Sequence, residues 1–185
     1  VTITDTGVVA ASDLNELNRL TTGSLTITGS VTVTGSVADI KAAYASNTSG
    51  TINGLGNEAI TVSGAEIISS SDLTDLKALT TGVVTATLSG TSVTAASLNT
   101  LDANTTENVI AGVVTSLTGT AADVNSAYAS TGITGLGNET VTLSDTSLKA
   151  STLSTVDGNT TGTVNAGTVT SLSGTASEVS SVYSS

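Results

Sequence analysis

Short bursts of alternation between branched aliphatics and threonine recur along the chain, as in Leu25-Thr26-Ile27-Thr28, Val31-Thr32-Val33-Thr34 and Val113 to Leu117. A period of two in β-branched residues predicts strands. In most cases a glycine splits the burst in two (Gly29, Gly56, Gly112, Gly137, Gly167), so each burst reads as two short strands around a corner. Between bursts the period lengthens to three or four. Leu14, Leu17 and Leu20 form one such row and Leu73, Leu76 and Leu79 another; Leu98 with Leu101 and Leu153 with Val156 follow the same spacing. In more compact stretches Ile40 with Ala43-Tyr44, Val124 with Ala127-Tyr128 and Val179 with Val182-Tyr183 take those places. This spacing predicts helices of two to three turns with one narrow apolar stripe. An acid precedes the first apolar residue in five of them (Asp13, Asp39, Asp72, Asp123, Glu178), where it offsets the helix dipole, and Ser97 and Thr152 in the same place read as caps. Thr21-Thr22-Gly23, Thr80-Thr81-Gly82 and Thr160-Thr161-Gly162 read as stops with glycine in a left-handed cap; Thr105-Thr106-Glu107 closes a fourth with the glycine replaced, and Ala45-Ser46 or Ala129-Ser130 close the compact stretches.

The phrase aliphatic–hydroxyl–Gly/Asp returns seven times, at Ile3-Thr4-Asp5, Val33-Thr34-Gly35, Val62-Ser63-Gly64, Leu88-Ser89-Gly90, Leu117-Thr118-Gly119, Leu143-Ser144-Asp145 and Leu172-Ser173-Gly174. A unit of 26–30 residues is too small to bury its own apolar face and must stack on its neighbours. The expectation is one α/β solenoid over residues 1–185 with about seven coils, beginning near 3, 33, 62, 88, 117, 143 and 172. Each coil carries short parallel-stacked strands and a short helix. The alternative is a β-only coil whose helical stretches are merely turns. Neither end reads as a capping repeat, so the chain is expected either to be a segment of a longer array or to stack head to tail on copies of itself.

Composition supports a stacked rather than a globular core. Phe, Trp, His, Cys, Met and Pro are absent, Tyr44, Tyr128 and Tyr183 are the only aromatics, and Thr with Ser makes up about a third of the chain. A hydrophobic fraction of 38% argues against disorder. The net charge of −11, with Arg19, Lys41, Lys77 and Lys149 as the only cations, argues against nucleic-acid binding. No apolar run approaches a membrane span. Without cysteine there are no disulfides, thiol chemistry or zinc–thiolate sites.

Three phrases carry a resemblance. They are Gly132-Ile133-Thr134-Gly135-Leu136-Gly137-Asn138-Glu139, Leu117 to Val124, and Thr152 to Gly162 with its Asp157-Gly158-Asn159-Thr160-Thr161 run. They resemble repeats in very long secreted or cell-surface proteins of marine cyanobacteria. The resemblance implies an extracellular stalk, surface layer, filament or adhesin, and no catalytic residues.

Candidate chemistry is sparse. Without His or Cys, only a carboxylate pair remains for hydrolysis, and the acids recur at equivalent helix starts, which is the habit of caps. No enzyme is expected. Asn57-Glu58 and Asn138-Glu139 lie on glycine-rich turns and are weak calcium candidates against a plain turn reading. Paired threonines on one strand face (Thr26/Thr28, Thr32/Thr34, Thr85/Thr87, Thr168/Thr170) suggest, as an alternative to a stalk, an adhesin-type module presenting Thr/Asn arrays to carbohydrate or ice. Such a module needs the pairs in register on adjacent coils. The expected partners are the chain itself and cell-surface polysaccharide. Asn47-Thr48-Ser49, Asn104-Thr105-Thr106, Asn138-Glu139-Thr140 and Asn159-Thr160-Thr161 match the glycosylation pattern, readily met in so Thr-rich a chain.

Overall fold

The structure, a computed structural model, describes residues 1–63, 68–105 and 108–184. Gly64 of the third repeated phrase and Thr106-Glu107 of the fourth stop lie outside the described residues, as does Thr106 of one glycosylation match. The chain is α/β, with seven helices among the described residues and short strands that pair in parallel in stacked sheets. The helices are 7 to 13 residues long, so the β-only alternative does not hold. Residues cluster into two compact units, Val1–Ser89 with Asn104–Val109, and Gly90–Ala103 with Ile110–Ser185.

The first unit runs β1 (Thr2–Ile3), β2 (Gly7–Ala10), α1 (Ala11–Leu20), β3 (Leu25–Ile27), β4 (Val31–Gly35), α2 (Val37–Ser49), β5 (Ile52–Asn53), β6 (Ala59–Val62), α3 (Ser70–Leu79) and β7 (Val84–Thr87). One sheet has the order β1-β3-β5; in another, β2, β4, β6 and β7 follow one another. Parallel register places Val9 on Val33, Val33 on Ile60 and Ile60 on Val84. Val33, Ile60 and Val84 are buried, so stacked copies of one aliphatic position make the core.

The second unit contains β8 (Ser92–Thr94), α4 (Ala95–Asn104, to Ala103), β10 (Ser116–Gly119), α5 (Ala121–Ala129), β11 (Ile133–Thr134), β12 (Thr140–Leu143), β13 (Ser147–Lys149), α6 (Ala150–Asn159), β14 (Val164–Asn165), β15 (Ser171–Ser173) and α7 (Ala176–Val182); β9 (Val109–Ile110) falls at the division in sequence. Strands β8, β10, β12 and β14 stack in that order, and β13 pairs with β15. Val93, Leu117 and Val141 form the buried file.

The register explains why the repeated phrases are unevenly spaced. Paired residues advance by 24 positions at Gly7 on Val31, Ile60 on Val84, Ser92 on Ser116 and Ser147 on Ser171, and by 27 at Thr32 on Ala59. The phrases fall at two different places. Val33, Leu117 and Leu172 sit on strands that lead straight into a helix, whereas Ile3, Leu88 and Leu143 are followed by a further strand (β2, β8, β13) before the helix begins. At the first kind the glycine is required. Gly35, Gly119 and Gly174 have φ of 149°, 154° and 159°, and a Cβ on each would lie 3.5, 3.3 and 3.2 Å from the Cβ of Ala11, Ala95 and Ala150. A small residue thus stacks on a small residue at each such step.

The helix ends differ from expectation in instructive ways. Asp39, Asp72, Asp123 and Glu178 lie at the third helical position, and the caps are Ser36, Ser69, Thr120 and Thr175, whose hydroxyls accept from the backbone N–H of those acids. Ser97 is itself one of these N3 residues: its N–H donates to Thr94 Oγ1 (3.1 Å). Thr152 lies inside α6, whose N-cap Lys149 makes no side-chain cap. At the C-termini the caps of α1, α3 and α6 are Thr21, Thr80 and Thr160 in extended backbone, so glycine is not the cap there. Helix α2 runs past Ala45-Ser46 and ends at Gly50 in an αL cap (φ 81°). The expected stripe also narrows in α1: Leu14 is fully buried, while Leu17 and Leu20 are 38% and 64% exposed. Beyond its first turn α1 meets α2 through polar contacts, Asn15 Nδ2 to Asp39 O and Asn18 Nδ2 to Ser46 Oγ.

Candidate functional site

The turns that carry Asn57-Glu58 and Asn138-Glu139 are built alike. Glu58 is 6% exposed and Glu139 fully buried, whereas both asparagines are exposed. Tyr44, midway along the buried face of α2, donates its hydroxyl to Glu58 Oε2 at 2.8 Å, and the Gly56 N–H donates to the same oxygen at 2.7 Å. Tyr128 on α5 donates to Glu139 Oε2 at 2.8 Å, and the Gly137 N–H reaches both carboxylate oxygens at 2.9 Å. Glu58 Oε1 is buried and accepts no hydrogen bond among the described residues. Burial, reinforced by the hydrogen bond to the glutamate, pushes both phenols well above their ordinary range.

The Thr-Thr-Gly phrase clamps each turn from the next segment. Thr80 Oγ1 donates to Glu58 O at 2.6 Å and accepts from the Gly82 N–H; Thr160 Oγ1 donates to Glu139 O at 2.8 Å and accepts from the Gly162 N–H. A Cβ on Gly82 or Gly162 would fall 2.1 or 2.2 Å from those glutamate carbonyls. Glycine is needed here for close approach.

These geometries bear on the calcium candidates. Each carboxylate faces hydroxyl and N–H donors, the complement of what a cation's oxygen shell offers. A polar cavity of about 430 Å³ adjoins the first turn, lined by Thr28, Ser30, Gly54, Asn57 and Glu58 among others. Among the described residues no three acids converge on a common point suited to a metal. Sequence reasoning placed Tyr44 and Tyr128 on a core stripe and overlooked their pairing with the glutamates. The signal was present: in both places a Tyr-Ala-Ser run on the helical stripe precedes a Gly-Leu-Gly-Asn-Glu phrase.

Two surfaces remain. In the second unit Ser92/Thr94, Ser116/Thr118 and Thr140/Thr142 lie in register on three adjacent strands, giving two parallel files of hydroxyls. In the first unit the matching file is single, Thr34 on Thr61 on Thr85. At the last helix a cavity of about 510 Å³ has an aliphatic wall of Leu153, Val164, Val169, Leu172 and Val182 beside Tyr183, and a polar side that includes Asp157 and Thr163. Tyr183 is 82% exposed. No described helix is long and apolar enough to cross a membrane. Compared with protein-family models, curated proteins and solved structures, the chain matches none.

Proposed function

We propose that this chain is an extracellular structural repeat protein, an α/β solenoid of about seven coils that serves as a stalk, surface layer or filament subunit. It carries no catalysis and works by coil stacking and by head-to-tail contact of its ends. The observation that carries the reading is the stacking of like on like: Val9, Val33, Ile60 and Val84 in one unit and Val93, Leu117 and Val141 in the other occupy one position in successive parallel strands. Such a ladder supplies tensile continuity, and parallel strand edges of this kind suit pairing with another copy. The resemblance to cyanobacterial surface repeats supports the location. The test is electron microscopy of purified protein at high salt, with and without calcium. Filaments with an axial repeat near one chain length support end-to-end assembly; dispersed particles under all conditions remove it.

A second reading, an adhesin-type module for carbohydrate or ice, is favoured by one observation, the hydroxyl files on β8, β10 and β12. Replacing the central pair by Ser116→Lys and Thr118→Lys would abolish retention on polysaccharide or ice-growth inhibition if those files bind, and leave any activity unchanged if they do not.

A further inference from the structure

The second unit repeats itself with one constant offset. Leu98, Ala111, Val114, Leu117, Ala127 and Tyr128 recur as Leu153, Ala166, Val169, Leu172, Val182 and Tyr183. At the first set the aliphatic residues are all buried, and Tyr128 donates to Glu139. At the second, the aliphatic residues are only half-buried, most of them line the open cavity, and Tyr183 stands exposed. What covers the first set follows Tyr128 directly: β11, the Gly135-Leu136-Gly137 turn, Glu139 and β12, whose Ile133, Val141 and Leu143 are buried. The same cover follows Tyr44 in the first unit, where Glu58 accepts from the tyrosine and Ile60 and Val62 are buried.

We propose that the open face at α7 is a docking site for a Gly-Leu-Gly-x-Glu turn followed by an alternating Thr/aliphatic strand, with the glutamate accepting a hydrogen bond from Tyr183 Oη. The partner is a segment of this chain's own type presented by another chain with that turn unengaged. The turns at Gly54–Glu58 and Gly135–Glu139 are already engaged by Tyr44 and Tyr128, so a folded second copy cannot donate either of them without unmaking that bond. The cavity's chemistry agrees with this occupant. Its aliphatic wall matches the residues that bury Ile133, Val141 and Leu143, and its phenol is the donor that a buried carboxylate needs. The inference rests on the assembly reading only in that this face is covered in use. It names the covering chemistry, which head-to-tail stacking of intact copies does not supply.

The experiment is titration of the full chain with a synthetic peptide of residues 131–144, followed by nuclear magnetic resonance of 13C-labelled tyrosine rings. The expected result is saturable one-to-one binding that shifts the Tyr183 ring and leaves those of Tyr44 and Tyr128 in place. Tyr183→Phe, at an exposed position that does not endanger folding, weakens binding about tenfold or more, as loss of a hydrogen bond to a charged group does. A peptide with Glu139→Ala weakens it similarly. Because a free peptide carries an ordering cost, a second protein with residues 130–144 appended after Ser184 serves as the intramolecular version; its melting temperature rises and Tyr183 becomes protected. Absence of both peptide binding and protection in the appended protein overturns the proposal, as does binding unaffected by Tyr183→Phe. Head-to-tail stacking is read separately, as a Tyr183 shift that depends on protein concentration without peptide; its failure leaves the docking result standing, and the reverse holds too.

Discussion

The buried Tyr128–Glu139 pair gives a sharp energetic expectation. Glu139 has no solvent exposure and holds two donors, the Tyr128 hydroxyl at 2.8 Å and the Gly137 N–H at 2.9 Å. A hydrogen bond to a charged group contributes about 1.5–3 kcal/mol, and stranding a buried charge costs more than replacing both partners. Tyr128→Phe removes one donor and leaves the carboxylate with the other, so a loss of about 2 kcal/mol is expected. Glu139→Gln keeps one acceptor oxygen but can place an NH2 group against an N–H donor, for a loss of similar size, about 2 kcal/mol. The double variant should lose less than the sum, because Phe no longer presents a hydroxyl to the altered side chain. A coupling of about 1–2 kcal/mol is expected from the double-mutant cycle. Stacked parallel strands can unfold piecewise, so hydrogen exchange resolved over residues 130–143, with residues 7–35 as the internal reference, is a better assay than a single melt. A coupling below about 0.5 kcal/mol would refute the pair as an energetic unit. So would equal loss of protection in both regions.

Other expectations follow from the same geometry. The phenols of Tyr44 and Tyr128 are raised above their ordinary value near 10, so the folded state holds their protons more tightly than the unfolded chain. Their contribution is complete below about pH 10 and is lost as pH rises through and beyond it; the urea midpoint should fall above that pH, and Tyr44→Phe with Tyr128→Phe should flatten the fall. At α7, Thr175 donates from its backbone N–H and hydroxyl to Glu178, which holds that carboxyl below its ordinary value. This contribution is present above about pH 4.5 and disappears as pH falls through the depressed value, so the protection factors of the 176–182 amides, taken against their intrinsic exchange rates, should fall in acid in the native chain and change less with pH in Glu178→Gln. Gly119→Ala forces a side chain into φ 154° with its Cβ 3.3 Å from that of Ala95; a loss of about 1–3 kcal/mol is expected, and Ala95→Gly should recover the contact part but not the strain. Gly112→Ala, with open space and no positive φ, is the control and should be near neutral; equal effects at both glycines would refute the stacking account.

Much of the fold was legible because its signals are local. Alternation at Val31–Thr34 and three-residue spacing at Leu73–Leu76 report backbone periodicity directly, and both elements stand where the pattern puts them. What the sequence hid is pairing. The phrases at Val33 and Leu143 look equivalent, yet one strand enters a helix and the other leads to a further strand; only the register, Val33 on Ile60 and Thr118 on Thr142, separates them. The Thr-Thr-Gly stops misled for a related reason. Glycine after a helix usually signals a left-handed cap, but at Gly82 and Gly162 its lack of a side chain serves a neighbouring carbonyl about 24 residues earlier, a contact no local window contains, while Gly23 has open space around it. The candidate site was half visible: the glutamates stood out on their turns, while the tyrosines that hold them read as ordinary members of an apolar stripe.

Near-identical stacked strands raise the problem of register, since a ladder of Thr and Val can slip without losing a hydrogen bond. The two tyrosine–glutamate turns bear on how this chain resolves it. Tyr44 and Glu58 are 14 residues apart, Tyr128 and Glu139 are 11 apart, yet the hydroxyl–carboxylate distance is 2.8 Å in both. The difference of three residues is also the difference between the strand steps, 27 from Thr32 to Ala59 against 24 from Ser116 to Thr140. It is absorbed in the longer α2, which runs on to a glycine cap and is tied down by Asn47, whose side chain both donates to Leu55 O and accepts from its N–H. The connection varies and the polar pair does not. A buried carboxylate is expensive when displaced from its donors, so each pair penalises every slipped register by the full cost of an unpaired charge, while contributing little to the correct one beyond its neutral equivalent. That asymmetry is what a stack of strands built from interchangeable aliphatics requires.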